Sequence, residues 1–507
     1  MQTNRRTYNI YRNSAVTIIC QLITIVLGFV CRKALIASLG LPYAGASAIF
    51  TNIIGMLAFL ELGIGHALTY SLYKPIAEDN KAQITACINF FTKLYHWVAI
   101  AVFCVGLAFL PFLDKVVNVE QGIQENVYIM YLLTLGYTCA TYLMAVPKTL
   151  LIADQKEYIV NIIYQACHII QVILQIAVLF IWKDYYLFLI IQVVITLLNN
   201  FWTSSLVYRR SPYLEKYHEA IDPKIKSDML DNIKSTFLYR VGTSFLNNVS
   251  SMFVGYFCGL VLLGKLSLYS LILATMSNLL RKTSNSFTAT VGNKGAAESI
   301  ESSRATFFKS HFLISWIGFF FFGGYLLFSN DVVKLFFGAD CTVDYSLMLV
   351  LGLLTLIGDI HSISGTYRFA LGFFKKGRLA PLYAAIANIV LSFVFYYTFG
   401  ILGIYIAPIV ARVVIMGGVD SYLVVGGYRG IAKYFLVMAK YFVAFALIYI
   451  PCHLGLNNFG DLSLIWLITF GVLYTICFNV AWLLIFSKNS NCKSVTAAIC
   501  ALILKRK

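Results

Sequence analysis

Apolar residues dominate the chain in long runs separated by short charged segments, a pattern that predicts repeated membrane crossings rather than amphipathic surface helices or alternating strands. A helix needs about 20 apolar residues to cross a bilayer. Fourteen runs qualify: 13–38, 45–72, 85–111, 126–147, 157–182, 185–208, 233–261, 267–292, 307–328, 345–372, 379–399, 401–426, 432–452 and 463–486. The expected fold is an all-α polytopic membrane protein.

Polar positions inside several runs recur at helical spacing. In the first run Ser14, Thr17, Gln21, Thr24, Gly28 and Arg32 share one face. The seventh places Arg240, Ser244, Asn247, Ser251, Gly255 and Cys258 on one face, and the eighth Ala274, Asn278, Arg281, Asn285, Thr288 and Gly292. A charged side chain at bilayer depth costs about 2.5 kcal/mol or more, so such faces should meet protein or a water-filled cavity. The alternative is snorkelling, with Arg240 and Arg281 reaching the cytoplasmic interface and Arg32 the outer one. Lys33 and Lys282, each one residue off its stripe, fit snorkelling better.

Charge orients the runs. With a cytoplasmic N-terminus, 26 Lys and Arg fall in inner segments and four in outer loops, namely Lys115, Lys183, Lys265 and Lys334. This positive-inside bias predicts both termini in the cytoplasm. It also accounts for much of the net charge of +17, which in a soluble protein would suggest nucleic acid. With 60% hydrophobic residues, 12% charged residues and mean hydropathy +0.78, the composition excludes a soluble globular protein. The 12 cysteines contain no C-x-x-C pair and read as small apolar residues, with one external bridge open between Cys341 and Cys452. The first run lacks a small-residue cleavage site and is expected to be retained.

The longest internal connection, 209–232, separates the first twelve runs six and six. The organisation expected is an N-terminal lobe over 1–208, a cytoplasmic linker over 209–232, a second lobe over 233–426, and two further helices with a cytoplasmic tail over 427–507. The lobes would form a parallel pseudo-repeat around a central cavity. Leu39-Gly40 followed by Thr51-Asn52-Ile53, and Leu263-Gly264 followed by Ser277-Asn278-Leu279, fit such a repeat. The segment from Ser494 to Leu504 is too short to span and suits the inner interface.

Away from the first three residues of each run, nine basic residues (Arg32, Lys33, Lys93, Arg240, Arg281, Lys282, Arg368, Arg412 and Lys440) but only three acidic ones (Glu61, Asp359 and Asp420) fall inside the runs. A cavity lined this way concentrates anions, and arginine's planar fork suits phosphate. Arg412, near mid-run after Pro408, is open to two readings: an ion pair with a carboxylate on another helix, or a substrate contact. Asp359 and His361 lie close together in the tenth run, Asp359 being either a proton or cation site or half of an internal salt bridge. His168, with Asn161, Gln165 and Gln175, is explained by interhelical hydrogen bonding. No metal-binding histidine pair, nucleophile elbow or phosphate-cradling glycine loop is present.

At the first two runs a specific likeness emerges. Asn13-Ser14, Gln21, Phe29, Arg32, Leu39-Gly40, Tyr43, Gly45, Glu61-Leu62-Gly63-Ile64-Gly65 and Tyr70-Ser71-Leu72-Tyr73-Lys74-Pro75-Ile76-Ala77 resemble the start of a Wzx-type polysaccharide flippase. That family sits in the multidrug/oligosaccharidyl-lipid/polysaccharide transporter superfamily. The resemblance implies that an undecaprenyl-diphosphate-linked oligosaccharide is turned from the inner to the outer leaflet of a bacterial cytoplasmic membrane by alternating access. It implies diphosphate contacts at Arg32 and Arg281, to which the residue reading adds Arg240 and Arg412. Gln21, Asn52, Asn247, Asn278 and Asn285 would line the cavity, and Glu61, Asp359 and His361 are candidates for ion coupling. The second run departs from the family pattern in carrying Glu61 and His66 but no arginine. No organic cofactor or metal is expected, H+ or Na+ being the candidate coupling ion. The expected partners are the lipid-linked oligosaccharide, the bilayer, and a polysaccharide polymerase and glycosyltransferases. A multidrug extruder of the same superfamily is the nearest rival reading, and a membrane-embedded polymerase or ligase a more distant one.

Overall fold

The computed structural model describes the backbone of residues 2–57, 64–116, 122–217, 221, 223–295, 300–371, 373, 376–456, 459 and 462–504. Among these every regular element is helical, as the apolar runs predict. Glu61 and Gly63 lie outside the described residues, as do the side chains of Ser14, Lys282 and Asn285.

The helices are α1 (Gln2–Leu39), α2 (Leu41–Leu57), α3 (Ile64–Ala77), α4 (Lys81–Ala108), α5 (Leu113–Val116), α6 (Val127–Tyr142), α7 (Lys148–Ala153), α8 (Glu157–Ile181) and α9 (Tyr185–Arg210). They continue as α10 (Pro223–Cys258), α11 (Leu260–Gly295), α12 (Ile300–Phe337), α13 (Tyr345–Ala370), α14 (Ala380–Phe399), α15 (Ile401–Ala411), α16 (Gly417–Ser421), α17 (Gly427–Leu456), α18 (Leu464–Ile485) and α19 (Ser490–Leu504). Ten stretches of the described residues are long and apolar enough to span a bilayer. The other predicted crossings are interrupted, merged, polar or only partly described. The second falls on α2 and α3, with residues 58–63 outside the described ones, and the fourth is divided between α6 and α7. The twelfth and thirteenth share one stretch, Ile401–Leu456, which turns at Gly426 and Gly427, both at positive φ. The seventh, α10, carries the polar stripe that lowers its hydropathy.

Local chemistry starts several helices where the apolar runs begin. Asn80, Asn126 and Asp184 each accept a hydrogen bond from a first-turn backbone N–H, that of Gln83 (3.0 Å), Tyr128 (2.9 Å) and Leu187 (3.0 Å). The apolar outer face of α18, including Ile465, Ile468, Val472, Ile476, Val480 and Leu484, is exposed at helical spacing, as a lipid-facing surface requires.

The chain divides into two compact units, Met1–Gly264 and Lys265–Lys507. In unit 1, α10 packs on α2, and the start of α11 crosses the start of α2. A Cβ on Gly45 would lie 2.1 Å from the Leu260 carbonyl oxygen, and one on Gly264 would lie 2.4 Å from that of Leu41. Both positions therefore demand glycine. Each follows a positive-φ glycine, Gly40 and Gly259, by five residues. The local correspondence thus sets Gly264 against Gly45, five residues beyond the Gly40 with which the sequence reading aligned it. The short L-G match was the weaker guide because only the backbone approach distinguishes the turn glycine from the packing glycine.

In unit 2, α17 and α18 pack on α12 through aromatic rings. Phe319 of α12 meets Phe442 of α17 at 4.9 Å and the fully buried Trp482 of α18 at 5.8 Å. The cysteines are free thiols, Cys341 buried and Cys452 half-buried, so no bridge joins them.

Candidate functional site

Unit 1 holds the first arginine. Much of the polar stripe of α1 faces protein. Asn161 Nδ2 donates to Thr17 at 3.0 Å, Thr24 donates to Gln165 Oε1 at 3.0 Å, and the Cys31 thiol lies 3.8 Å from Gln175 Oε1. Gln175 is itself fixed by donating to the Phe188 carbonyl at 3.0 Å. The amides of α8 thus zip α1 to α8, the interhelical bonding expected of that stripe.

Arg32 ends this ladder. Its Nη1 is buried with no hydrogen-bond partner, and no carboxylate pairs with it among the described residues. Tyr185 lies within its electrostatic reach and hydrogen-bonds Ser47. Tyr43 meets Tyr185 edge to face at 5.3 Å and donates to the Glu125 carboxylate. Tyr43 thereby holds Glu125 through its hydroxyl. A buried cation with an open donor is a half-made anion site.

The other predicted residues of unit 1 are less exclusively placed. Arg240 is half-buried on α10. Asn52 is half-buried and donates to the Ala48 carbonyl at 2.7 Å, within its own helix. Gln21 is half-buried and Asn247 exposed, and both make contacts in the fold.

Unit 2 presents two charge clusters. In the first, Asp359 of α13 accepts from Ser277 of α11 at 2.5 Å and interacts electrostatically with Arg281 and Arg412. Arg281 is exposed and donates from Nη2 to Asn278 at 3.4 Å. Arg412 opens a π-helical segment, Arg412–Met416, and its guanidinium packs over Gly358, where a Cβ would sit 2.1 Å from Nη1. Gly358 is thus what admits an arginine beside Asp359.

The second cluster is fully buried. Arg368 Nη1 donates to Asp420 Oδ1 and to the Gly377 carbonyl, both at 3.0 Å, while His361 Nε2 lies 3.0 Å from Asp420 Oδ2. Arg368 and Asp420 are 0% and 1% exposed, so this pair is sealed from any ligand. His361 is drawn into this ion cluster, apart from the Asp359 contacts. Asp420 lies eight residues beyond Arg412 on the same run. The structure instead pairs it with Arg368 across helices, something no single-helix periodicity could reveal.

No family model matches the chain, and no curated protein matches it. Solved structures do. One described as the lipid II flippase MurJ in an inward closed conformation matches with TM-score 0.62, covering 94% of this chain and 99% of that chain at 14% identity. An inward-facing multidrug resistance MATE family transporter of the MOP superfamily matches with TM-score 0.58, covering 85% and 99% at 16% identity. A MOP superfamily transporter from Pyrococcus furiosus, described as having a binding pocket of reverse polarity, matches with TM-score 0.55, covering 86% and 96% at 14% identity. At these identities the likeness establishes the fold: one shared by a lipid flippase and by multidrug transporters.

Proposed function

We propose that this protein is a flippase that carries an undecaprenyl-diphosphate-linked oligosaccharide from the inner to the outer leaflet of a bacterial cytoplasmic membrane by alternating access. The observation that carries the reading is Arg32: a guanidinium inside a membrane helix with a buried, unpartnered N–H and no paired carboxylate among the described residues. A diphosphate supplies the missing acceptor and the missing charge. Arg281, exposed beside Asn278, is the corresponding cation of unit 2, and Arg32 and Arg281 meet the diphosphate at different stages of transport. Arg240 and Arg412 add positive potential, while Gln21, Asn52, Asn247, Asn278 and Asn285 serve the sugars. The MurJ fold supports a lipid-linked substrate. Both termini face the cytoplasm in this reading, and the polymerase and glycosyltransferases of the same polysaccharide are its working partners.

Asp359, bonded to Ser277 and facing two arginines, is the carboxylate we assign to H+ or Na+ coupling. Replacing Arg32 or Arg281 singly with Ala should abolish surface polysaccharide at unchanged membrane abundance. Normal export in both variants would contradict the assignment.

A multidrug extruder is the second reading, favoured by the MATE likeness and by a half-buried carboxylate, Asp359, that could meet a cationic drug. It predicts that Asp359→Asn changes resistance to cationic dyes while polysaccharide is unaltered.

A further inference from the structure

A carboxylate set beside two arginines already supplies the charge that a diphosphate would bring. Asp359 of α13 is such a group. Its Oδ2 accepts from the Ser277 hydroxyl at 2.5 Å. Arg281 lies one helical turn beyond Ser277 on the same face of α11, and the Arg412 guanidinium packs over Gly358, the residue before Asp359. Both guanidiniums act electrostatically on the carboxylate. Helix α12 contributes Gly318, Phe321 and Phe322 to this space, none of them titratable, and His361, two residues along α13, belongs to the Asp420 cluster. One acid thus answers two cations.

The space beside Asp359 decides which ion it takes. The cavity there is about 20 Å³, and a single water needs about 10–15 Å³ on this measure. Its polar lining groups are Asp359, Ser277 and Thr355, and the Thr355 hydroxyl is engaged with the Leu351 carbonyl at 3.1 Å. Much of the rest is apolar, with Leu273, Met276 and Leu280 on the α11 side. A hard cation in a membrane site is held by several oxygens, the carbonyls of broken helices among them. Helices α11 and α13 run unbroken through Ser277 and Asp359, so their carbonyls are engaged in helix hydrogen bonds. Too few oxygens remain for Na+, and two guanidiniums already face the carboxylate. A proton needs no such shell.

We infer that Asp359 is a proton-linked stand-in for the diphosphate: ionised, it neutralises Arg281 and Arg412 while the site is empty, and it takes up one proton when the diphosphate displaces it from them. This rests on the transport reading above. The proton comes from water at the exposed Arg281 end, joins the carboxylate as the diphosphate bonds the guanidinium, and returns to water when the lipid leaves. Ser277 donates to the carboxylate and can accept from the carboxyl, so it stays bonded in both forms. Linkage is reciprocal: if binding draws a proton, removing protons weakens binding, by up to about tenfold per pH unit. The exchange clears the arginines for the next lipid.

The test uses the purified full-length protein and undecaprenyl-diphospho-N-acetylglucosamine, a diphosphate diester that itself exchanges no proton around neutral pH. Its binding heat is measured on both sides of neutral pH in buffers of low and high ionisation enthalpy, which counts the protons taken up per lipid bound. The expected result is an uptake approaching one proton, with affinity falling as pH rises by up to about tenfold per unit. In Asp359→Asn the uptake and the pH dependence both vanish while binding remains. Should Asp359→Asn fail to fold, Asp359→Ser, equally unable to ionise, decides. No uptake on binding to the natural protein, or undiminished uptake in the Asp359 variant, overturns the inference alone. No binding by the natural protein, or undiminished binding in both Arg32→Ala and Arg281→Ala, overturns the transport reading and the inference with it. Affinity that rises with sodium against choline at fixed pH would make the ion Na+ and overturn the inference equally.

Discussion

Arg32 of unit 1 and Arg368 of unit 2 are both arginines inside membrane helices, yet the structure treats them in opposite ways. Arg368 is completely buried, bonded to Asp420 and to a backbone carbonyl, with His361 on the far side of the same carboxylate. No carboxylate pairs with Arg32 among the described residues, and Glu125 is engaged by Tyr43, whose ring packs on Tyr185 beside Arg32. Burial alone therefore does not distinguish a binding arginine from a structural one. Neutralisation does. A charge whose partner is built into the fold contributes to holding helices in place, whereas one left open is stabilised only when an anion arrives.

The comparison can be broken most forcefully at Asp420. Asp420→Ala leaves Arg368 buried without its countercharge and should lower unfolding stability by about 3–5 kcal/mol, read as loss of folded protein or a lower thermal midpoint. Replacing both partners, Asp420→Leu with Arg368→Met, should recover most of that loss; no recovery would mean that the pair is not the unit of the effect.

Arg32→Ala should do the reverse. It removes an unneutralised charge, so the thermal midpoint should hold or rise. Hydrogen bonds to charged groups are worth about 1.5–3 kcal/mol, so the loss of this one slows transport by at least about 10- to 100-fold, and surface polysaccharide should be abolished. Arg32→Lys keeps the charge but loses the planar fork, and a smaller loss of about 3- to 10-fold is expected. The smallest effect belongs to the ladder beneath Arg32. Thr24→Val removes one hydrogen bond to Gln165 and should cost about 0.6 kcal/mol, with transport preserved.

The crossings were legible because lipid demands long apolar runs, and the ends of several helices because Asn80, Asn126 and Asp184 cap them. Runs mark where lipid is and not where helices stop. Hence α10 reaches back to Pro223, through charged residues that hydropathy reads as connection, and the twelfth and thirteenth crossings merge into one stretch. The polar stripe of α1 was visible by its spacing, but periodicity could not tell that Thr17 and Thr24 meet the amides of α8 while Arg32 is left open. Partner identity across helices is long-range information. For the same reason the count of nine basic against three acidic residues overstated the free positive charge: Arg368 is cancelled by Asp420, and Asp359 offsets Arg281 and Arg412.

The central claim is that Arg32 is an open cation awaiting a phosphate-bearing lipid. It is tested most directly by measuring the thermal midpoint of the purified full-length protein against undecaprenyl diphosphate, with undecaprenol as the uncharged control. The account predicts a concentration-dependent rise for the diphosphate alone, largely lost in Arg32→Ala. An equal rise with undecaprenol, or an undiminished one in Arg32→Ala, would contradict it.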